Sequence, residues 1–217
     1  LKHAKTFHRH FYTIIQNHSI EIAQYSAILI EDDLDGNFYG VDKSQIQGYI
    51  HSIQEKIHSI LKCNIPIFIL YASPEIESWF IADWDNGFGY IYTSDAFVTD
   101  IDLPTKIFFA HHLRQYLNTY VLKEYSNDIE NYGYFDQKYY KLSDEIIEAI
   151  QTKVKEYISE LPNTNRLYSE KISSSRDLYY SKKIHGDRML RKLDPLILSK
   201  KCRHYFAPTF NSFRNLI

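Results

Sequence analysis

Four carboxylates and a glycine close a short apolar run in the stretch Ala27-Ile28-Leu29-Ile30-Glu31-Asp32-Asp33-Leu34-Asp35-Gly36-Asn37. Carboxylates crowded this closely raise one another's pKa and cannot all stay ionised unless a cation lies among them. Hard divalent cations such as Mg²⁺ or Mn²⁺ take oxygen ligands and commonly use one or two protein carboxylates, leaving other positions to water and substrate phosphate. In an extended segment alternate residues point the same way, so Asp33 and Asp35 form the favoured pair. Asp32 then turns away, and Glu31 either aims at the site or finishes the strand. The competing reading is a solvated acidic turn.

Such a site needs elements that deliver the acids to one place. The apolar run Ala27–Ile30 has strand length and hands the acids to a loop at a sheet's carboxyl end. Lys43–Leu61 repeats Ile46, Ile50, Ile53, Ile57, Ile60 and Leu61 at the spacing of one helical face, with Asp42 or Ser44 to cap it. Ile65–Tyr71 reads as a strand buried on both faces, with Pro66 tolerated at its start. Strand, helix and strand make a parallel crossover unit. A second acidic turn follows, in which Ser73 caps, Pro74 takes the first helical position, and Glu75 and Glu77 fill the first turn of a helix through Asp83. Both strand-to-helix turns open on the same sheet edge, so the two acidic clusters face one crevice.

Beyond Asp85 the pattern is predominantly helical. Asp102 caps a helix from Pro104 that carries Ile107, Phe108, Tyr116, Leu117, Tyr120 and Val121 on one side. Ser143–Leu161 forms a second long helix, apolar at Ile146, Ile147, Ile150, Val154, Tyr157 and Ile158 and stopped by Pro162. Residues 163–178 read as a polar loop, and the last forty as short basic helices interrupted at Pro195 and Pro208. At the front, Lys5–Gln16 is helix-like, and the chain opens at Leu1 without Met, as if an earlier strand were missing. The expected fold class is α/β: a core over residues 1–100, its small parallel sheet within about 24–95, and a helical extension over 101–217 packed on it.

Composition bounds the class. With 217 residues and 44% hydrophobic content the chain can bury one real core, and 16% aromatics with only 7 Gly and 6 Pro exclude long flexible linkers and low-complexity architectures. Cys63 and Cys202 provide neither a disulfide framework nor a zinc ribbon, which fits a reducing cytoplasm. No apolar run approaches the roughly 20 residues that cross a bilayer, and no signal-peptide pattern opens the chain, so a soluble protein is expected. The net charge of -2 conceals an asymmetry: residues 1–163 carry 13 Lys and Arg against 23 Asp and Glu, whereas residues 164–217 carry 12 against 4. Lys182, Lys183, Arg188, Arg191, Lys192, Lys200, Lys201 and Arg203 are therefore candidates for contact with a nucleic-acid backbone, the alternative being a solvated face with salt links to the acidic body.

Other residues carry less. His8 and His10, and His111 and His112, are spaced so that neither pair chelates from one helical face. His185 and His204 lie in the basic segment at ordinary surface positions, Trp79 and Phe80 anchor a helix in the core, and Gly87-Phe88-Gly89 marks a turn. A serine nucleophile elbow and a nucleotide-binding P-loop are both absent.

Three known settings place similar acids. A calcium loop would read Glu31, Asp33, Asp35, Gly36 and Asp42 as its ligand positions and turn glycine, but a strand-like run precedes it instead of a helix. A haloacid-dehalogenase-type phosphatase also opens on strand-Asp-x-Asp-Gly, yet Asn37 stands where Thr or Val is expected and no later acidic motif of that family follows. The third is the TOPRIM fold. Ile28–Asp35, then Pro74–Asp83, then Lys183-Ile184-His185-Gly186 through Lys201-Cys202-Arg203-His204-Tyr205-Phe206 resemble, in order and spacing, the TOPRIM-like, RloB-related proteins of unknown or defence function encoded beside an ATPase. The resemblance implies that Asp33 and Asp35 bind Mg²⁺, that Glu77 completes the metal site, and that the reaction is phosphodiester cleavage in an anti-phage system with an ATPase partner; Glu31 and Glu75 are secondary candidates. It departs from the family in lacking the glutamate of an earlier strand. The alternative from another class is a non-catalytic interaction subunit that docks on a partner ATPase.

Overall fold

A computed structural model describes residues 11–34, 43–94, 100–135, 138–161 and 166–216. Helical residues 11–17 (α1) and Ser19–Ile22 (α2) lead into strand β1 (Ile28–Asp33), helix α3 (Lys43–Leu61) and strand β2 (Ile67–Ala72). β1 and β2 are parallel, from Ile28 opposite Ile67 to Asp33 opposite Ala72. The first strand is longer than its apolar run. Glu31, Asp32 and Asp33 stand in register opposite Leu70, Tyr71 and Ala72 of β2, and the Leu34 N–H donates to the Ala72 carbonyl at 2.9 Å. The acids up to Asp33 are therefore strand residues, not the loop residues expected, because ladder pairing satisfies the backbone whatever the side chains carry. Asp35, Gly36, Asn37 and Asp42 lie outside the described residues.

Strand alternation sorts the side chains onto two cores. Ile28, Ile30, Ile67, Ile69 and Tyr71 join Ile46, Ile53, Ile57 and Leu61 of α3, together with Ile15. Leu70 and Ala72, on the other face, belong to a larger cluster built from the helices that follow. These are α4 (Ile76–Ala82), α5 (Phe88–Thr93), α6 (Leu103–Tyr116), α7 (Leu142–Glu160), α8 (Arg166–Ser174), α9 (Lys182–Leu190), α10 (Pro195–Lys201) and α11 (Phe206–Arg214). Trp79 and Phe80 of α4 are about 1% exposed and meet Phe206 and Phe88 edge to face. This cluster draws on α4 and α5 as well as the later helices, so the helical body begins before residue 101. Gly87 is required where it stands, since a Cβ there would lie 2.1 Å from the Phe80 carbonyl oxygen.

Four local expectations are corrected. Ser73 does not cap α4: Glu75 holds that position, and the Ser73 hydroxyl donates to the Glu130 carbonyl at 2.7 Å. The inward face of α6 is Lys106, Phe109, Ala110 and Leu113, while Ile107 and Phe108 are half exposed. The apolar stripe read from the sequence is rotated by one residue, and Lys106, buried as a whole, takes an inward position. Residues 166–174, expected as loop, form α8, whose Ile172 is buried and whose polar residues are its solvent side. Pro195 and Pro208 occupy the first turns of α10 and α11, where a missing N–H costs nothing, so they open helices and do not break them. The Asp102 cap is as expected, accepting from the Thr105 N–H at 2.9 Å. A two-residue hairpin, β3 (Tyr134–Phe135) with β4 (Lys138–Tyr139), had no sequence signal.

Candidate functional site

Asp33 ends β1 and α4 follows β2, so the parallel pairing brings Asp33 and Glu77 to one sheet edge. Between them stands the ammonium of Lys182, the first residue of α9. Its Nζ donates to Asp33 Oδ2 at 2.7 Å and lies 3.7 Å from Glu77 Oε2. Glu77 is 0% exposed. Its Oε1 accepts from the Tyr180 hydroxyl at 2.8 Å, whereas the buried Oε2 has no hydrogen-bond partner. Burial and then the Glu77 charge hold the Tyr180 phenol far above its ordinary pKa, so it remains a donor. Burial pulls the Lys182 ammonium down, but the Asp33 bond and the charges of Asp33, Glu77 and Glu75 outweigh it, leaving the pKa raised. Tyr180 also stacks on His185, which is buried and whose Nδ1 accepts from the Ser181 N–H at 2.9 Å. The surface position expected for His185 is thus corrected: its ring is part of the wall behind Glu77.

Glu75 turns toward α7. Its Oε2 accepts from the Ser143 N–H at 2.8 Å and its Oε1 lies 3.5 Å from Lys141 Nζ. Burial, opposed by the Ser143 amide and reinforced by the Glu77 charge, pushes its carboxyl up to about 7. Glu31 lies two residues before Asp33 on the same strand face, exposed, with partial burial raising its carboxyl. Asp32 faces the other side, where burial first and then neighbouring charge, that of Asp32 included, raise the Tyr71 and Tyr49 phenols. Asp35, named with Asp33 as the metal pair, lies outside the described residues. Among the described residues no group of three His, Cys, Asp or Glu side chains gathers as a metal site. Asp33 and Glu77 nevertheless fit a hard cation in their chemistry: two carboxylate oxygens converge on one cationic atom, and one of them has no other partner.

The basic residues do not form one face. Lys182 is consumed by the acidic pair, and Arg191 pairs with Asp187 of its own helix at 3.0 Å. Lys183 and Arg188 are exposed on α9, and Lys192 lies over the Tyr90 ring at 5.6 Å. Lys201 Nζ donates to the Ala82 carbonyl at 2.7 Å, and Arg203 Nε to the Lys200 carbonyl at 2.9 Å, both at the far end of α4. His204 meets Asp128 at 2.9 Å. The segment from His204 to Phe206 is held by Glu130, about 1% exposed, whose carboxylate accepts the N–H groups of His204 at 2.5 Å and of Tyr205 and Phe206 at 3.1 Å. Sequence reasoning missed Tyr180, Glu130 and the role of Lys182, because no local spacing links residues about a hundred positions apart.

Comparison with family models, with curated proteins and with solved structures finds no match. What the chain shows directly is a mostly helical α/β protein with a small parallel sheet, and among the described residues no helix is long and apolar enough to cross a membrane.

Proposed function

We propose that the crevice at Asp33 and Glu77 is the metal-binding centre of a TOPRIM-like nuclease subunit that cleaves phosphodiesters and works in the cytoplasm with an ATPase in anti-phage defence. The observation that carries the reading is the fully buried Glu77, whose Oε2 lacks a hydrogen bond and shares a single cation with Asp33. A buried carboxylate oxygen left in this state is costly, and a cation that binds there recovers the cost. Asp33 and Glu77 would hold Mg²⁺ or Mn²⁺, with Asp35 and Glu31 as further oxygen donors. Held there, the ion supplies charge compensation at a phosphoryl group and acidifies water. Tyr180 fixes the Glu77 carboxylate, and Glu75, with its carboxyl near 7, can hold or release a proton at neutral pH. Lys182, half exposed, is placed to contact a substrate phosphate once its acids have another partner. Lys183 and Arg188, exposed on the same helix, are further candidates for contact with a nucleic-acid backbone.

One observation favours the second reading, a non-catalytic interaction subunit: the Lys182 bridge already neutralises part of the acidic pair at 2.7 Å. Calorimetry with Mg²⁺ and with Mn²⁺ separates the two on the full chain, the Asp33→Asn, Asp35→Asn double variant and Glu77→Gln. Binding that both variants abolish, followed by metal-dependent cleavage of DNA or RNA, supports the nuclease. Absence of binding to the unaltered chain sinks it and leaves the docking subunit.

A further inference from the structure

A second constellation lies at the opposite end of α4, independent of the reading at Asp33. A cavity of about 510 Å³ opens there, lined among others by Trp84, Arg114, Asn118, Asn127, Lys200 and Arg203. With Lys201 the lining carries four cations, and among its described residues no carboxylate. Like charges gathered with no carboxylate in the lining repel one another and hold a positive potential that favours an incoming anion. Asp85, 3.8 Å from Arg114, is 89% exposed, too wet to neutralise it.

The cavity is also built. Lys201 is pinned to the Ala82 carbonyl, Arg203 is held through Nε by the Lys200 carbonyl with the rest of its guanidinium left over, and Arg114 lies over the Trp84 ring at 5.6 Å. The segment carrying three of the four cations is tied down at both ends. Asp83 accepts the Asp194 N–H at 2.7 Å before α10, and Glu130 accepts three N–H groups just after Arg203. Cations fixed in advance lose little freedom on binding. Two guanidinium groups can grip tetrahedral phosphate oxygens in pairs, and the amides of Asn118 and Asn127 add neutral donors beside an apolar floor that includes Leu117. The volume falls within the roughly 300–1,000 Å³ of small-molecule sites.

The geometry points to a binding site for a phosphorylated small molecule of nucleotide size, gripped by Arg114, Lys200 and Arg203. The test is calorimetric titration of the full chain with inorganic pyrophosphate and with adenosine 5′-monophosphate at low ionic strength. Arg114→Gln, Arg203→Gln and, as the comparison, Lys171→Gln on α8 are titrated alongside, each checked by its melting curve. Saturable binding of at least one probe is expected, weakened about tenfold or more by each cavity variant and unchanged by Lys171→Gln. Arg203→Gln keeps the test decisive should Arg114→Gln disturb α6. Failure of both probes, or binding indifferent to both variants, overturns the proposal. So does Arg114-dependent binding of a single-stranded oligonucleotide when both small probes fail, which would make the cavity part of a polymer surface.

Discussion

The two ends of α4 solve opposite electrostatic problems. At its start, Asp33, Glu75 and Glu77 gather more negative charge than Lys182 and Lys141 return, and the shortfall falls on Glu77, sealed from water. At its end, Arg114, Lys200, Lys201 and Arg203 stand together with no acid in the described lining, but exposed enough for water and salt to screen them. The contrast teaches that buried charge must be answered within the protein, whereas open charge can wait for a ligand. It also assigns the basic segment two tasks, since α9 answers the acids with Lys182 and α10 supplies the cavity.

The largest expected effect breaks the basic end without touching a cation. Glu130→Ala removes the acceptor of the His204, Tyr205 and Phe206 N–H groups, the first two part-buried and the third buried. Three unmet donors cost on the order of 3 kcal/mol or more, measurable as a lower urea midpoint. The anion binding proposed at the cavity should weaken with it. Glu130→Gln, which keeps one carbonyl acceptor, should fall between the two. Equal stability of Glu130→Ala and the unaltered chain would show that the clamp holds nothing.

The acidic end can be probed through protons. Glu75 has a folded pKa near 7, above the model-peptide value of 4.5. The native state therefore binds a proton that the unfolded chain has released, and stability falls as pH rises from about 4.5 to 7. Burial raises Glu130 in the same direction, so part of the slope is shared. Glu75→Gln should remove on the order of 2 kcal/mol of that pH dependence, read from urea midpoints at pH 5 and pH 7.5. An unchanged slope would place the proton elsewhere in the crevice.

Much of this contrast was legible in the sequence, and the reason for the rest is physical. The run of isoleucines in α3 and the apolar β2 fixed the crossover, and with it the meeting of Asp33 and Glu77, because both depend on local periodicity. The charge split between residues 1–163 and 164–217 offered nucleic-acid contact first and salt links to the acidic body as the alternative, and Lys182 makes such a link. Which basic residue would make them was not legible, because Lys182 reaches Asp33 across 149 positions through tertiary packing alone. Tyr180 and Glu130 carry no motif, and the α6 face was misread because a lysine at an inward position looks solvent-facing to any polarity pattern.

A smaller effect separates a resident ion pair from a vacant cation position. Lys182→Met removes the ammonium that Asp33 and Glu77 share. Since Lys182 is itself half exposed, the loss should be about 1–2 kcal/mol, below that of a sealed pair. If the crevice takes a divalent ion, Mg²⁺ or Mn²⁺ should raise the melting temperature of this variant more than that of the unaltered chain, because the lysine no longer competes. A melting temperature indifferent to both metals would make Lys182 a permanent structural partner.

The smallest effect carries the opposite sign. Lys200→Gln removes one of four uncompensated cations from the open end, so the ligand-free protein should be unchanged or stabilised by no more than about 0.5 kcal/mol. The gain should shrink as salt rises through the range where the Debye length falls below about 10 Å, because salt already screens the repulsion being relieved. Anion binding should weaken in the same variant. A substitution that leaves stability intact while costing binding is what a site kept for a ligand predicts. Clear destabilisation by Lys200→Gln would instead make the cations structural and remove the distinction between the two ends of α4.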